Sequence, residues 1–213
     1  MDLTSSQPHD LLLLHDPADF LQKQLAPIPE WVPAALCRAP WVVVRRAPVA
    51  PGWLPVGVRG PVRHQRWATA VPTTAVAQRI TPPELSQPAN WVATYSQSPP
   101  PAVQTLVQLA PILTQAGFAW GPAGSTAFEL ATGQPTLTLT SDLDLVLYAP
   151  TRLETSAAAR LLTSLEAAAL VRLDIQLQTP LGGVALLEFV RETQILVKTI
   201  TGPELRAVHR LWE

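Results

Sequence analysis

Two aspartates one residue apart, Asp142 and Asp144 in Ser141-Asp142-Leu143-Asp144-Leu145-Val146-Leu147, are the side chains whose type and spacing point most directly to chemistry. In a strand, successive side chains alternate between faces. The two carboxylates then share one face, and Leu143, Leu145 and Leu147 share the opposite, core-facing one. The strand rise sets the carboxylates about 6–7 Å apart. Like charges so placed are costly unless something cationic lies between them. A pair of Mg²⁺ ions roughly 4 Å apart, as used in phosphoryl transfer, fits that spacing. The same pattern also occurs on solvated strand faces, so its surroundings decide its meaning.

Two surroundings matter. Gly121-Pro122-Ala123-Gly124-Ser125 directly precedes a short helical segment. Gly124 allows close backbone approach to a phosphate, the helix start offers N–H donors, and Ser125 adds a hydroxyl. It is equally an ordinary helix entry. Downstream, Arg172-Leu173-Asp174-Ile175-Gln176-Leu177 alternates, with Asp174 on the polar face. A third carboxylate on a neighbouring strand could complete a metal shell and take a proton from a nucleophile. Asp174 is the favoured candidate and Glu188 the competitor.

A different chemistry is suggested near the other end. Between Trp31 and Pro83 there are seven arginines and no acidic residue. Arg59, Arg63, His64 and Arg66 cluster in Arg-Gly-Pro-Val-Arg-His-Gln-Arg. Guanidinium forks match phosphate oxygens two at a time, so this is a candidate anion site; a solvated basic surface is the plain alternative.

The elements that must position these groups differ between the two halves. Proline is frequent, with 23 in 213 residues, and concentrates before residue 102. There the pattern reads as short strands and turns, such as 41–46 and 53–58. Residues 86–101, polar and ending in a triple proline, read as a linker. The expected organisation is a β-rich domain over 1–86 and a catalytic domain over 87–213. In the latter, apolar spacing predicts helices at 102–116 and 152–169 and a short one at 126–131. Thr126 and Glu129 there have capping-box spacing. Strands are expected at 118–121, 137–148 and 195–199, with a hairpin from 171–179 and 184–190 around Pro-Leu-Gly-Gly. Residues 203–212 read as a last helix, since Ile200–Leu205 resembles the helix-start sequence at Ile80–Leu85.

The order Gly-Ser before a short helix, Asp-x-Asp on the next strand and a later strand carboxylate resembles the polymerase-β-like nucleotidyltransferase superfamily. The gap from Ser125 to Asp142 is longer than in its minimal members. The run GSTAFELATGQPTLTLTSDLDLVL from Gly124 to Leu147 resembles one family in particular, malonate decarboxylase holo-acyl-carrier-protein synthase, or phosphoribosyl-dephospho-CoA transferase. The likeness extends through Pro8-His9-Asp10-Leu11-Leu12, Gly57-Val58-Arg59-Gly60, Arg63-His64-Gln65-Arg66, Leu173-Asp174-Ile175-Gln176 and Gly182–Glu188, nearly the whole chain. It implies an α+β fold, a mixed sheet packed on helices with a smaller β-rich N-terminal domain. It also implies Mg²⁺ as cofactor, held by Asp142, Asp144 and Asp174. The implied donor is 2′-(5″-triphosphoribosyl)-3′-dephospho-CoA, and the acceptor is a serine of the malonate decarboxylase acyl-carrier subunit. Gly124 and Ser125 would hold the triphosphate tail, and Arg59, Arg63, His64 and Arg66 the donor phosphates. Lys198 is a further phosphate candidate.

Composition bounds the alternatives. A formal net charge of −1 argues against a general binder of nucleic acid or membrane surfaces. No segment approaches the ~20 apolar residues of a membrane helix. The single cysteine, Cys37, excludes an internal disulfide and reads as a buried thiol in a cytoplasmic protein. His9, His15, His64 and His209 lack zinc-ligand spacing. Three rival functions remain: a nucleotidyltransferase with another acceptor, a binding module that keeps the fold without catalysis, and a glycosyltransferase using Asp-x-Asp. The last would want a larger nucleotide-binding domain upstream.

Overall fold

The computed structural model describes residues 3, 5–24, 26–62, 64–88, 91, 95 and 98–213. The chain divides into two compact units, Met1–Thr81 and Pro82–Glu213.

In the first unit, β-branched and aliphatic runs broken by proline and glycine form a five-stranded antiparallel sheet. Its strands are β1 (Leu11–Leu14), β2 (Trp41–Val44), β3 (Trp53–Arg59), β4 (Arg66–Pro72) and β5 (Val76–Ile80), ordered β4-β3-β2-β1-β5. Helices α1 (Pro17–Gln22) and α2 (Trp31–Arg38) close one face. Asp16 caps α1 by accepting from the Ala18 and Asp19 amides. Alternation sends Leu54, Val56 and Val58 of β3 and Trp67 and Val71 of β4 into one core with Phe20, Val32 and Leu36 from the helices. Cys37 is exposed on α2, contrary to the buried thiol expected from the sequence. Its neighbours Ala35 and Leu36 occupy the inward positions of that helix.

The second unit is built on a six-stranded mixed sheet. Its strands are β6 (Ala119–Pro122), β7 (Leu143–Tyr148), β8 (Leu173–Gln178), β9 (Gly183–Ala185), β10 (Gln194–Lys198) and β11 (Pro203–Ala207), in the order β11-β10-β9-β8-β7-β6. Only the β7–β8 pair is parallel. Its helices include α3 (Pro82–Leu85), α4 (Pro101–Gln115), α5 (Gly124–Thr132), α6 (Thr155–Ala168) and α7 (Leu186–Arg191). The long amphipathic helices α4 and α6 pack on each other, and α4 packs on β6 and β7. Leu106, Leu109 and Leu113 of α4 and Leu165 of α6 are buried with Leu143, Leu145 and Leu147. The parallel pair follows from α6: a crossover helix is what allows β8 to return alongside β7 in the same direction. The fold is therefore α+β, with a β-rich N-terminal unit and a mixed sheet packed on helices, as the resemblance implies. Among the described residues, no helix is long and apolar enough to cross a membrane.

Three sequence expectations fail here. The strand expected over 137–148 begins only at Leu143; the preceding Thr-Leu-Thr-Leu-Thr alternates like a strand, but Leu139 is 82% exposed and the chain turns there. Residues 184–190 are a strand only to Ala185, and Leu186–Arg191 is helical. Residues 203–207 form an edge strand paired with β10, not a helix. Thr199 closes the β10–β11 turn by donating to the Gly202 carbonyl, so the Thr201–Glu204 spacing caps nothing.

Candidate active site

The site begins at the turn from β6 into α5. Gly121 of β6 lies so close to the Pro82 backbone of α3 that a Cβ would stand 1.9 Å from the Pro82 carbonyl oxygen. This fixes the strand end against α3. Two residues later the Ala123 amide donates to the Asp144 carbonyl at 2.9 Å, which ties the helix entry to β7. Gly124 then opens α5 with φ +56°, a left-handed conformation that L side chains seldom adopt. A Cβ on Gly124 would lie 1.8 Å from Asp144 Oδ2 and 2.6 Å from its Cγ. Only glycine permits this contact. The first-turn amides of an α-helix lack intrahelical partners and carry the positive end of the helix dipole, so the Asp144 carboxylate sits where negative charge is stabilised.

Asp142 precedes β7, and the Leu143 amide next to it donates to the Arg172 carbonyl at 2.9 Å, continuing the ladder toward β8. Its carboxylate is 3.9 Å from the Arg172 guanidinium. In β7, Leu143, Leu145 and Leu147 are buried, as the alternation predicts. In β8, Asp174 is the register partner of Asp144. Neighbouring strands lie about 4.8 Å apart, so the two aspartate backbones are nearest neighbours across the pair. Glu188 is on α7, not on a hairpin strand. It lines a cleft of about 450 Å³ together with Arg172 and Asp174, which keeps it close to Asp174 but off the β7–β8 pair.

The loop that delivers Asp142 is held by a residue whose role the sequence reading missed. Glu129 of α5 is 6% exposed. It accepts from the Thr136 amide at 2.6 Å and the Leu137 amide at 2.7 Å, and from the Tyr95 hydroxyl. Thr136 Oγ1 also donates to the Ser125 carbonyl. The expected Thr126–Glu129 capping box is absent: α5 begins two residues earlier, at Gly124, and the buried Thr126 hydroxyl has no hydrogen-bond partner among the described residues. The lone carboxylate of a short helix, followed by a long Thr-rich loop, was the available signal. Burial and the Glu129 carboxylate together hold the Tyr95 phenol above its ordinary pKa.

In the first unit, Arg59 and Arg66 are register partners across the β3–β4 hairpin. The hairpin loop is closed by bonds from the Gly60 amide to the Gln65 carbonyl and from the Gln65 amide to the Val62 carbonyl. His64 is exposed in that loop. Arg63 lies outside the described residues. Lys198 ends β10, where its register partner on β9 is Gly183.

The donor set can be tested against magnesium. Asp144 and Asp174 are backbone neighbours, Asp142 is two residues along from Asp144, and a helix N-terminus suited to phosphate lies on the Asp144 carboxylate. Hard carboxylate oxygens beside a helix start, whose free amides favour anions, suit Mg²⁺. The side chains as placed do not yet converge. Asp142 faces Arg172, and among the described residues no group of three or more His, Cys, Asp or Glu side chains is placed to hold a metal ion. The backbone fits the group; the carboxylate rotamers would have to turn inward around it.

Two family models cover the chain. The N-terminal domain of phosphoribosyl-dephospho-CoA transferase MdcG matches residues 7–82, and the C-terminal domain matches residues 85–209. The chain belongs to this family. Similar curated members include phosphoribosyl-dephospho-CoA transferases from Pseudomonas putida (strain GB-1), 39% identical over 95% of this chain and 94% of the relative, and from Pseudomonas aeruginosa, 42% identical over 93% and 91%. The Azotobacter vinelandii family member is 39% identical over 93% and 92%. No solved structure matches the chain significantly. Both family domains are thus present, and the Gly124–Asp144–Asp174 arrangement lies within the C-terminal one.

Proposed function

We propose that this transferase is a Mg²⁺-dependent nucleotidyltransferase of the cytoplasm. It moves the 2′-(5″-phosphoribosyl)-3′-dephospho-CoA group from its triphosphate precursor to a serine of the malonate decarboxylase acyl-carrier subunit. The observation that carries the reading is Gly124 seated on the Asp144 carboxylate, beside a register-matched Asp174, in a chain of the phosphoribosyl-dephospho-CoA transferase family.

Asp142, Asp144 and Asp174 would hold Mg²⁺, which when bound neutralises phosphate charge and lowers the pKa of an oxygen attached to it. The start of α5, with Gly124 and Ser125, binds the triphosphate tail. Arg59, Arg63, His64 and Arg66 bind further donor phosphates. The serine oxygen attacks the α-phosphorus in line, Asp174 accepts the serine proton, and the bond to the β-phosphate oxygen breaks to release pyrophosphate. Glu129 fixes the 134–142 loop so that Asp142 arrives beside Asp144.

The test is intact-mass spectrometry of purified apo carrier subunit after incubation with the protein, Mg²⁺ and the triphosphate donor. A gain equal to the donor minus pyrophosphate, abolished by EDTA and restored by Mg²⁺, is expected. An unchanged carrier mass with a competent donor would refute the assigned reaction.

A further inference from the structure

The six-stranded sheet has an unpaired strand edge beside Asp174. In β8 the Arg172 carbonyl accepts from the Leu143 amide and the Gln178 carbonyl from the Ala149 amide. Even-numbered residues of β8 therefore turn their backbone groups toward β7. Odd-numbered ones turn the other way, as Thr179 shows by exchanging both backbone bonds with Gly182 just before β9. The β8–β9 ladder runs only from Gln178–Gly183 to Gln176–Ala185, because at Leu186 the chain leaves the sheet as α7. Beyond that pair no strand lies on this side of β8 among the described residues, so the Leu173 backbone and the Ile175 amide have no ladder partner there. This edge opens on the cleft of about 450 Å³, whose lining includes Leu162, Ala169 and Leu187. Leu187 is 41% exposed, and Asp174 is exposed as well.

We infer that this edge is where the acceptor protein docks: an extended segment bearing the reactive serine adds to β8 as a further strand beside Asp174. An added strand gives the open backbone groups their hydrogen-bond partners, and its alternate side chains supply specificity. Neighbouring strands lie about 4.8 Å apart, and residues directly opposite have Cβ atoms about 4.5–5.5 Å apart on a shared face. A serine opposite Asp174 thus extends the Asp144–Asp174 row by one position, on the same face and within reach of the Asp174 carboxylate. The residues on either side of the serine point to the other face, that of Leu173 and Ile175. There they meet the apolar cleft lining at Leu162, Ala169 and Leu187, which favours small or apolar neighbours for the serine. This deepens the proposed function, on which it rests for naming the occupant as the serine-bearing carrier protein.

The experiment is residue-resolved hydrogen exchange of the full chain, with and without saturating apo carrier subunit and without donor, paired with steady-state transfer kinetics. The Leu173 and Ile175 amides should exchange about tenfold or more slowly once carrier is bound, while those of Asp174 and Gln176, which face β7, stay unchanged. L187D puts a charge in the cleft and should raise the carrier KM about tenfold, with kcat and the donor KM within about twofold of wild type. L205D puts the same charge on exposed Leu205 of β11, at the edge of the sheet, and should leave the carrier KM within about twofold. Thermal melts confirm that both variants are folded. Unchanged exchange of Leu173 and Ile175 with carrier overturns the docking site, as does an unchanged carrier KM in L187D or an equal rise in L205D. Slowing of the same two amides with rising protein concentration and no carrier also overturns it, by placing a second copy on the edge. Carrier modification is scored separately: transfer without protection of the two amides removes this site but leaves the reaction, and protection without transfer leaves the site and removes the reaction.

Discussion

Asp144 and Asp174 stand opposite each other in register on the parallel pair β7–β8, and the Asp144 carboxylate lies against the Gly124 backbone at the start of α5. The two acidic strands are thus adjacent, and one of them presents its carboxylate to the start of a helix. That arrangement depends on α6, which returns β8 beside β7, and on a glycine at a position where a side chain would strike the carboxylate.

Gly124→Ala tests the contact. The added methyl overlaps the Asp144 carboxylate, and its left-handed φ costs about 1–2 kcal/mol. Because Asp144 must be displaced, transfer activity should fall about 100-fold or more, corresponding to about 2.7 kcal/mol of lost transition-state stabilisation. Single-turnover rates alongside a thermal melt check this. Near-wild-type turnover in G124A would show that the contact is dispensable.

Glu129→Ala would leave two loop amides and the Tyr95 hydroxyl without their acceptor. These donors are partly buried, so each orphaned one costs about 1 kcal/mol, and a loss of about 2–3 kcal/mol in unfolding free energy is expected. Urea titration measures it. Activity should fall further than stability alone explains, since the loop carrying Asp142 loses its anchor.

Tyr95 gives a pH signature. Its phenol is held above the ordinary value of about 10 in the folded protein, by burial first and then by Glu129. The stability this proton contributes is complete below pH ~10 and is lost as pH rises from there toward the folded value, because the unfolded chain ionises first. Melting temperatures of wild type and Y95F, followed from pH 8 to 11, should therefore differ most below pH ~10 and converge above it. A constant difference across that range would contradict this.

Thr126→Val removes a buried hydroxyl that has no hydrogen-bond partner among the described residues and keeps the side-chain shape. Stability should stay level or rise by up to ~1 kcal/mol. A capping role for Thr126 would instead make the valine variant less stable by about 1 kcal/mol. Chemical denaturation separates the two.

Much of the site was legible because its signals are local. Leu143, Leu145 and Leu147 alternate with Asp144, and Gly133 closes α5 with φ +68°. What misled was sequence whose partners are distant. Thr136 and Leu137 look like strand residues, yet their amides bond to Glu129, not to a neighbouring strand. Leu186–Arg191 has the apolar run of a strand but turns helical after the three-residue β9. Pro203–Ala207 pairs with β10 instead of opening a helix, because the Thr199–Gly202 turn folds it back.

The most direct test of the account compares D174N with E188Q in single-turnover transfer of the prosthetic group to the carrier, with equal folded fractions verified by thermal melting. Asp174 shares the β7–β8 register with Asp144, while Glu188 approaches from α7. D174N should lose about a thousandfold in rate, near 4 kcal/mol of barrier, and E188Q should stay within about threefold of wild type. Full activity in D174N with loss in E188Q would contradict the account and move the third carboxylate to the helix.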